Sequence, residues 1–351
     1  MRPEVSAIVV THRSAPEAAD CVASLRRAFG EEGIAAEILL VDCGSGPGDA
    51  EALLAIPADR HLLLEENRGY SGGVNAGLAA ARGGNLLLSN ADVVFFPGAV
   101  SALLQALGRE RAGAAAPLSL WDIGERVRLP PGFAPGFFRD LSQLLAGRLS
   151  ALDDWRFARF ARETLRLWER GGPARHLSGA VLAVRRDVFD AVGRFDERFP
   201  FEFEETEWED RVRSEARDLL FVPGARVRHL WAVSASRNPR TRGLRAASEG
   251  LYRRRRYGRL GKAILERAAS LSPPGPAGEI LLEPRFAARP GAAVAFSPNP
   301  SGLPFAAADL EEEFLLPEEI RSSLPAATWH LTIFRKADGR PLQRLRWKRT
   351  A

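Results

Sequence analysis

Short apolar runs that alternate with helix-like segments constrain this chain more than any other feature of its sequence. Residues 5–10 (Val-Ser-Ala-Ile-Val-Val) end in the polar Thr11-His12-Arg13, and continuous runs of this length read as strands buried in a parallel sheet. Ala18, Cys21, Val22, Leu25 and Phe29 follow at helical spacing behind Ser14 and Pro16, which suit a helix start. The pattern repeats as strand 37–41, helix 49–54, strand 61–64, helix 70–82 and strand 85–88. Such alternation predicts an α/β fold with a mostly parallel central sheet flanked by helices. Ligands of these sheets lie outside the carboxyl ends of the strands, where Thr11, Asp42, Asn67 and Asn90-Ala91-Asp92 all fall.

Between residues 121 and 175 the rhythm is lost. Trp155, Phe157, Phe160, Leu165, Leu167 and Trp168 predict an acceptor-side helical region that caps a cleft. After it come a strand over 176–184, a short helix from Arg186, an acidic segment 202–210, and strands near 219–222 and 226–231. Residues 237–265 are Arg-rich and helix-compatible, and 270–278 are rich in Pro, Gly and Ser, so a boundary is expected near residue 276. The organisation expected is one domain over 1–276 and a small β-rich accessory domain over 277–351. In the latter, strands are predicted at 279–282, 293–296 and 330–334, with a hairpin turn at Asp338-Gly339. Glycan binding and simple packing against the core both stay open as its role.

Composition excludes several classes. With 46% hydrophobic and 26% charged residues, disorder and collagen-like repeats are out. The most apolar long stretch, 86–107, is broken by Ser89-Asn90-Ala91-Asp92 and Pro97-Gly98, too soon for a membrane span. The N-terminus lacks a secretory signal's apolar core, so a cytoplasmic location is expected. Cys21 and Cys43, the only cysteines, are too few for a disulfide scaffold and are expected as free thiols. The net charge of +5, almost wholly Arg, permits phosphorylated substrates or an anionic membrane face. No nucleic-acid partner is expected.

The chemistry-bearing segments each leave an alternative open. Asp42 precedes Cys43-Gly44-Ser45-Gly46, a loop flexible enough to let backbone and carboxylate approach a nucleotide, or simply a strand end before a turn. Residues 67–77 put several glycines at a helix start, where free N–H groups favour a phosphate. They lack both the Gly-Lys-Ser/Thr ending of a phosphate loop and the Gly-x-Gly-x-x-Gly of a dinucleotide fold. Asn90 and Asp92 offer hard oxygen ligands for Mg²⁺ or Mn²⁺, or an Asx turn. His229 is a candidate third ligand or diphosphate contact. Finally, six carboxylates fall within residues 202–210 beside aromatic residues. Crowding of this kind raises carboxylate pKa values toward those of a general base, although acidic residues also favour helix starts through the dipole.

Taken in order, these segments resemble the family 2 inverting glycosyltransferases of the GT-A fold, in particular a rhamnosyltransferase-like branch, over roughly residues 4–260. The resemblance rests on Val5 to His12, Ile38 to Ser45, Glu66 to Tyr70 with Asn75-Ala76-Gly77-Leu78, and Ser89-Asn90-Ala91-Asp92-Val93. It continues through His176 to Arg186, Val192 to Phe199, and Phe203-Glu-Glu-Thr-Glu-Trp with Arg211. Cys43, His12 and Asn90 depart from the family's usual Asn, Tyr or Trp, and Asp. The resemblance implies an enzyme that moves a sugar, rhamnose first and UDP-linked hexoses next, from a nucleotide sugar to a glycan or polyprenyl-linked acceptor in cell-surface polysaccharide assembly. It implies Glu205 as general base with Glu204 and Glu207 orienting base or acceptor, and Asp92, with His229, binding the Mg²⁺ or Mn²⁺. Thr11, Arg13, Asp42, Ser45, Asn67, Gly69, Asn75 and Asn90 are expected to hold the donor. The basic run Arg253-Arg-Arg-Arg256 is expected either to touch anionic lipid, placing the enzyme peripherally on the inner membrane face, or to be a solvated helix face. Two other readings remain: a non-catalytic glycan- or nucleotide-binding protein on the same fold, and a sugar nucleotidyltransferase, of whose basic triphosphate loop Thr11-His12-Arg13 supplies only a fragment.

Overall fold

The computed structural model describes residues 2–133, 135–145, 150–230, 241–270 and 279–349. They gather into two compact units, the first from Met1–Ser119, Arg170–His229 and Arg240–Tyr252, the second mainly from Leu120–Glu169 and Arg253–Ala351. The division expected near residue 276, the segment 271–278, Trp231 and residues 237–240 lie outside the described residues. The acceptor-side region expected at 121–175 belongs for the most part to the second unit, with the C-terminal strands.

The first unit opens with β1 (Val5–Thr11), α1 (Ala15–Glu31), β2 (Ala36–Cys43), α2 (Pro47–Leu54), β3 (Arg60–Leu64), α3 (Gly69–Ala80) and β4 (Asn85–Asn90). It continues with β5 (Val93–Phe95), α4 (Ala99–Leu107) and β6 (Ala112–Leu120), inside a stretch whose apolar continuity hid its turns from a periodicity reading. β1 to β4 pair in parallel in the order β3-β2-β1-β4. Every residue of β1 is buried, which is why its sequence is a continuous apolar run rather than an alternating one. α1 covers this sheet with Ala18, Cys21, Val22, Leu25 and Phe29, the stripe expected from their spacing. α3 lies close against β1: a Cβ added at Gly77 would fall 2.3 Å from Ile8 Cγ2. Register aligns Thr11 with Asp42 and Val10 with Asn90, so the polar strand ends form one row.

Further along, β8 (Gly172–Ala174), β9 (Val181–Arg185), α7 (Arg186–Val192), α8 (Glu204–Ser214) and β10 (Asp218–His229) complete the unit with the first part of α9 (Thr241–Ser270). β9 adds antiparallel to β4 and pairs β6, while β10 pairs β5 and β8. The strand expected over 176–184 starts only at Val181. Residues 175–180 form a loop in which His176 and Leu177 meet a helix instead of a strand neighbour. The two strands expected at 219–222 and 226–231 are one, β10, which runs through Pro223-Gly224.

The second unit contains β7 (Val127–Arg128), α5 (Phe137–Leu145), α6 (Ser150–Arg170) and the rest of α9, which is interrupted at Gly258 (φ 70°). Its β-rich part comprises β11 (Glu279–Leu281), β12 (Arg285–Phe286), β13 (Ala292–Ser297), β14 (Ala306–Asp309), β15 (Phe314–Leu315), β16 (Thr328–Arg335) and β17 (Pro341–Lys348), with α10 (Glu318–Ser323). The order is β11-β17-β16-β13-β14-β7, and β16 and β17 form the hairpin expected at Asp338-Gly339. Trp121, Phe296, Trp329 and Trp347 anchor one core. α6 joins the strands through Phe157, stacked 5.1 Å from Phe305 and edge-on to Phe334 at 5.5 Å. Among the described residues no helix is long and apolar enough to cross a membrane.

Candidate active site

The strand-end row is held by its own turns. The buried Asp42 carboxylate accepts the Ser45 N–H at 3.0 Å and the Ser45 hydroxyl. Ser45 Oγ in turn accepts the Arg13 N–H at 2.7 Å, and His12 Nδ1 donates to the Cys43 carbonyl at 2.8 Å. Thr11, Arg13, Asp42 and Ser45 are therefore brought together, with Thr11 Oγ1 buried and unpartnered among the described residues. Asn67 Oδ1 accepts the Gly69 N–H at 2.9 Å and shapes the turn into α3. Both cysteines are buried free thiols. Cys43 Sγ donates to the Gly69 carbonyl at 3.4 Å, and burial, reinforced by Asp42, pushes its pKa up to about 12. Asn75 has a different environment from the other expected donor contacts. Its Nδ2 donates to the Phe195 carbonyl and Glu197 Oε1, both at 2.9 Å, and its Oδ1 accepts the Phe195 N–H at 3.2 Å.

Asp92 and His229 also converge. β10 pairs His229 with Val93, which sets His229 Nε2 3.5 Å from Asp92 Oδ1. Bonds of about 2.1 Å to one divalent ion put neighbouring donors roughly 3 to 3.5 Å apart, so this oxygen–nitrogen pair fits part of a shared shell. Among the described residues no cluster of three or more His, Cys, Asp or Glu could hold a metal ion. Asn90 is anchored by its backbone N–H on the Ala180 carbonyl at 2.9 Å.

The acidic segment starts α8. Glu202 and Phe203 both have left-handed backbones, φ 58° and 70°, at a cost of order 1–3 kcal/mol each for non-glycine residues. This turn buries Glu204 and sets Glu205 in the helix's first turn. Glu204 Oε2 and Glu205 Oε2 are buried without a hydrogen-bond partner among the described residues. Burial, with the Glu205 charge, holds the Glu204 carboxyl well above the usual range. Burial also raises the Glu205 carboxyl, opposed mainly by His176. Glu207 turns elsewhere: Arg211 binds it at 2.9 Å and also caps the Arg194 carbonyl at 2.8 Å. Through Arg211 it ties α8 to the preceding segment.

Residues outside the expected set also surround Glu205. Tyr70 donates to the Gly179 carbonyl at 3.2 Å, and burial plus the Glu204, Glu205 and Asp92 carboxylates raise its pKa. A Cβ at Gly179 would sit 3.0 Å from Glu205 Cγ, so the 175–180 loop lies directly against this side chain. In that loop His176 hydrogen-bonds Glu209 through Nδ1, with Nε2 3.8 Å from Glu205 Oε1. The sequence carried one signal for this: Glu205 and Glu209 are four apart, on one face of a helix.

An α/β sheet with polar strand ends, an Asp–His pair and a buried acidic helix start define a site suited to a phosphorylated donor and a proton-accepting carboxylate. The family model for glycosyl transferase family 2 matches residues 6–193. An N-acetylglucosaminyl-diphospho-decaprenol L-rhamnosyltransferase of Mycobacterium tuberculosis is 32% identical over 252 residues, covering 66% of this chain and 78% of that one. A GalNAc-T7 structure with UDP, GalNAc and Mn²⁺ aligns at a TM-score of 0.47 and 18% identity, covering 65% of this chain and 43% of that one. A mannosyltransferase from Pyrobaculum calidifontis, in complex with GDP-Man and Mn²⁺, aligns at 0.47 and 15% identity, covering 78% and 76%. The chain belongs to glycosyl transferase family 2 and is a glycosyltransferase.

Proposed function

We propose that this enzyme transfers a sugar, rhamnose first among the candidates, from a nucleoside-diphosphate sugar to a hydroxyl of a lipid-linked glycan, in cell-surface polysaccharide assembly. The observation that carries the reading is Glu205, half-buried in the first turn of α8 with Oε2 out of water and unpartnered among the described residues. Its raised proton affinity suits a base working near neutral pH. As the acceptor oxygen bonds to the anomeric carbon, its proton passes to Glu205, and the carbon–oxygen bond to the diphosphate breaks with its electron pair on the leaving group. Attack opposite the leaving group inverts the configuration. Glu204 orients Glu205 or the acceptor. Thr11, Arg13, Asp42, Ser45, Asn67, Gly69 and Asn90 face the donor, while Asn75 positions α3. Asp92 and His229 would hold Mg²⁺ or Mn²⁺, which when bound neutralises charge on the diphosphate.

The named substrate of the M. tuberculosis relative supports rhamnose and a polyprenyl-linked acceptor. A cytoplasmic location with peripheral contact on the inner membrane face fits that acceptor. The exposed Arg254, Arg255 and Arg256 on α9 supply the charge for it, whereas Arg253 turns inward toward Asp140 at 3.7 Å. The first test is thermal stabilisation by UDP, dTDP and GDP, each with and without Mn²⁺. One nucleotide should give a metal-dependent rise in melting temperature. Glu205→Gln should keep that rise while turnover falls about 10²- to 10⁴-fold. Full turnover by this variant would overturn the assignment of the base.

A further inference from the structure

Resting on Glu205 as the base, we propose that His176 and Glu209 form a charged bracket behind it. In this bracket an imidazolium fixed by Glu209 faces Glu205 Oε1 and holds that carboxylate ionised and oriented. His176 is thus a positioning residue, not one that touches the reacting atoms.

Three placements support the bracket. Glu205 and Glu209 lie one turn apart on α8, and His176 reaches both from the 175–180 loop. Glu209, 1% exposed, is also locked by the Leu177 N–H at 3.2 and 3.3 Å, so it presents a fixed acceptor to Nδ1. A histidine buried only for packing needs one partner. This one has its second nitrogen 3.8 Å from Glu205 Oε1, in a carboxylate whose other oxygen is out of water and unpartnered among the described residues.

The surroundings give the bracket its sign. Burial would discharge His176, but the Glu209 charge and hydrogen bond, with Glu205, outweigh it and raise its pKa, while Arg213 opposes them from the next turn. Glu205 is pushed toward its neutral form by burial, Glu209 and Glu202, and His176 is the largest influence in the other direction. Glu204, adjacent in the chain, the Tyr70 hydroxyl, across the Gly179 loop, and the Thr206 hydroxyl, which donates to Glu205 Oε1 at 3.4 Å, also lie around the base. Without the imidazolium the largest influence favouring the charged form is gone, so the proton affinity of Glu205 rises further and the base appears only at higher pH.

The test compares wild type, His176→Gln, His176→Asn and Glu205→Gln. It uses kcat/KM against pH with dTDP-rhamnose and a polyprenyl-diphosphate-linked N-acetylglucosamine, with thermal melts to check folding. Both neutral His176 variants should move the acid limb up by about one pH unit, a loss of about tenfold in kcat/KM below the limb. Acid limbs that stay in place would reduce His176 to a packing role and overturn the bracket. If Glu205→Gln retains turnover, the base assignment itself fails, which is a separate outcome. A readout independent of turnover is ¹⁵N NMR of the histidines. His176 should be doubly protonated at pH 7 in wild type and should lose its proton at lower pH in Glu209→Gln. A neutral His176 in wild type at pH 7 would also overturn the proposal.

Discussion

Glu204 is taken out of water beside two other carboxylates, which gives it a measurable signature in stability. Its folded pKa is raised by burial and by Glu205, whereas in the unfolded chain it titrates near about 4.3. Between those values the folded state binds more protons, so stability falls as pH rises. The group's contribution is complete below the unfolded value and is lost as pH climbs through the folded one. Glu204→Gln removes this dependence. Its melting temperature should match wild type near pH 4 and exceed it by a margin that widens toward pH 8. A margin independent of pH would mean that the carboxyl is not the source of the strain. Glu205 and Glu209 carry the same sign, so the acidic start of α8 is a place where the fold gives up stability to hold carboxylates out of water.

At the level of elements, α8 is placed by what surrounds it. Trp208 stacks on Phe189 of α7 at 4.7 Å and meets Phe195 edge-on at 5.6 Å. Phe195 is in turn held by Asn75 of α3 through both its N–H and its carbonyl. Asn75 thereby connects the helix behind the strand ends to the helix that carries Glu205. Replacing Asn75 with Ala strands the Phe195 backbone groups, which costs about 1–3 kcal/mol. Urea unfolding should show a lower midpoint at unchanged slope. Nucleotide affinity measured well below the melting temperature should stay at the wild-type value, and a large loss of affinity would show that Asn75 touches the donor after all.

On the scale of the molecule, the chain builds two compact units, and the second takes residues from both the middle and the end of the sequence. Phe157 and Phe160 of α6 pack on Phe305, and Gly339, in the β16–β17 hairpin, approaches so closely that an added Cβ would lie 2.6 Å from the Ala158 carbonyl oxygen. On the same unit Phe138 is 81% exposed and Leu260 75% exposed, with Arg254, Arg255 and Arg256 also at the surface. Arg254→Glu with Arg255→Glu should weaken sedimentation with vesicles containing anionic phosphatidylglycerol, and added salt should weaken wild-type binding likewise. Equal binding to neutral vesicles would remove charge as the cause.

The parallel strands, the polar row at their ends and the acidic start of α8 were readable in the amino-acid order alone. Each leaves a local trace: β1 is apolar at nearly every position because both faces are buried, and its last residue and those that follow are polar. Much of the rest depended on distance along the chain. Glu204, Glu205 and Glu207 look alike in sequence, yet helix phase sends Glu207 to Arg211 and sets Glu205 beside His176. The His176–Glu209 contact spans thirty-three positions, and the loop that makes it replaces part of an expected strand. The pairing of α6 with strands near the C-terminus, and of Asn75 with Phe195, likewise has no local sign. Burial pattern and turn chemistry are properties of neighbouring residues, so the sequence by itself determined the elements and the class of chemistry. Which carboxylate lies beside His176 and which is tied to Arg211 was decided only when the tertiary structure brought those groups together out of water.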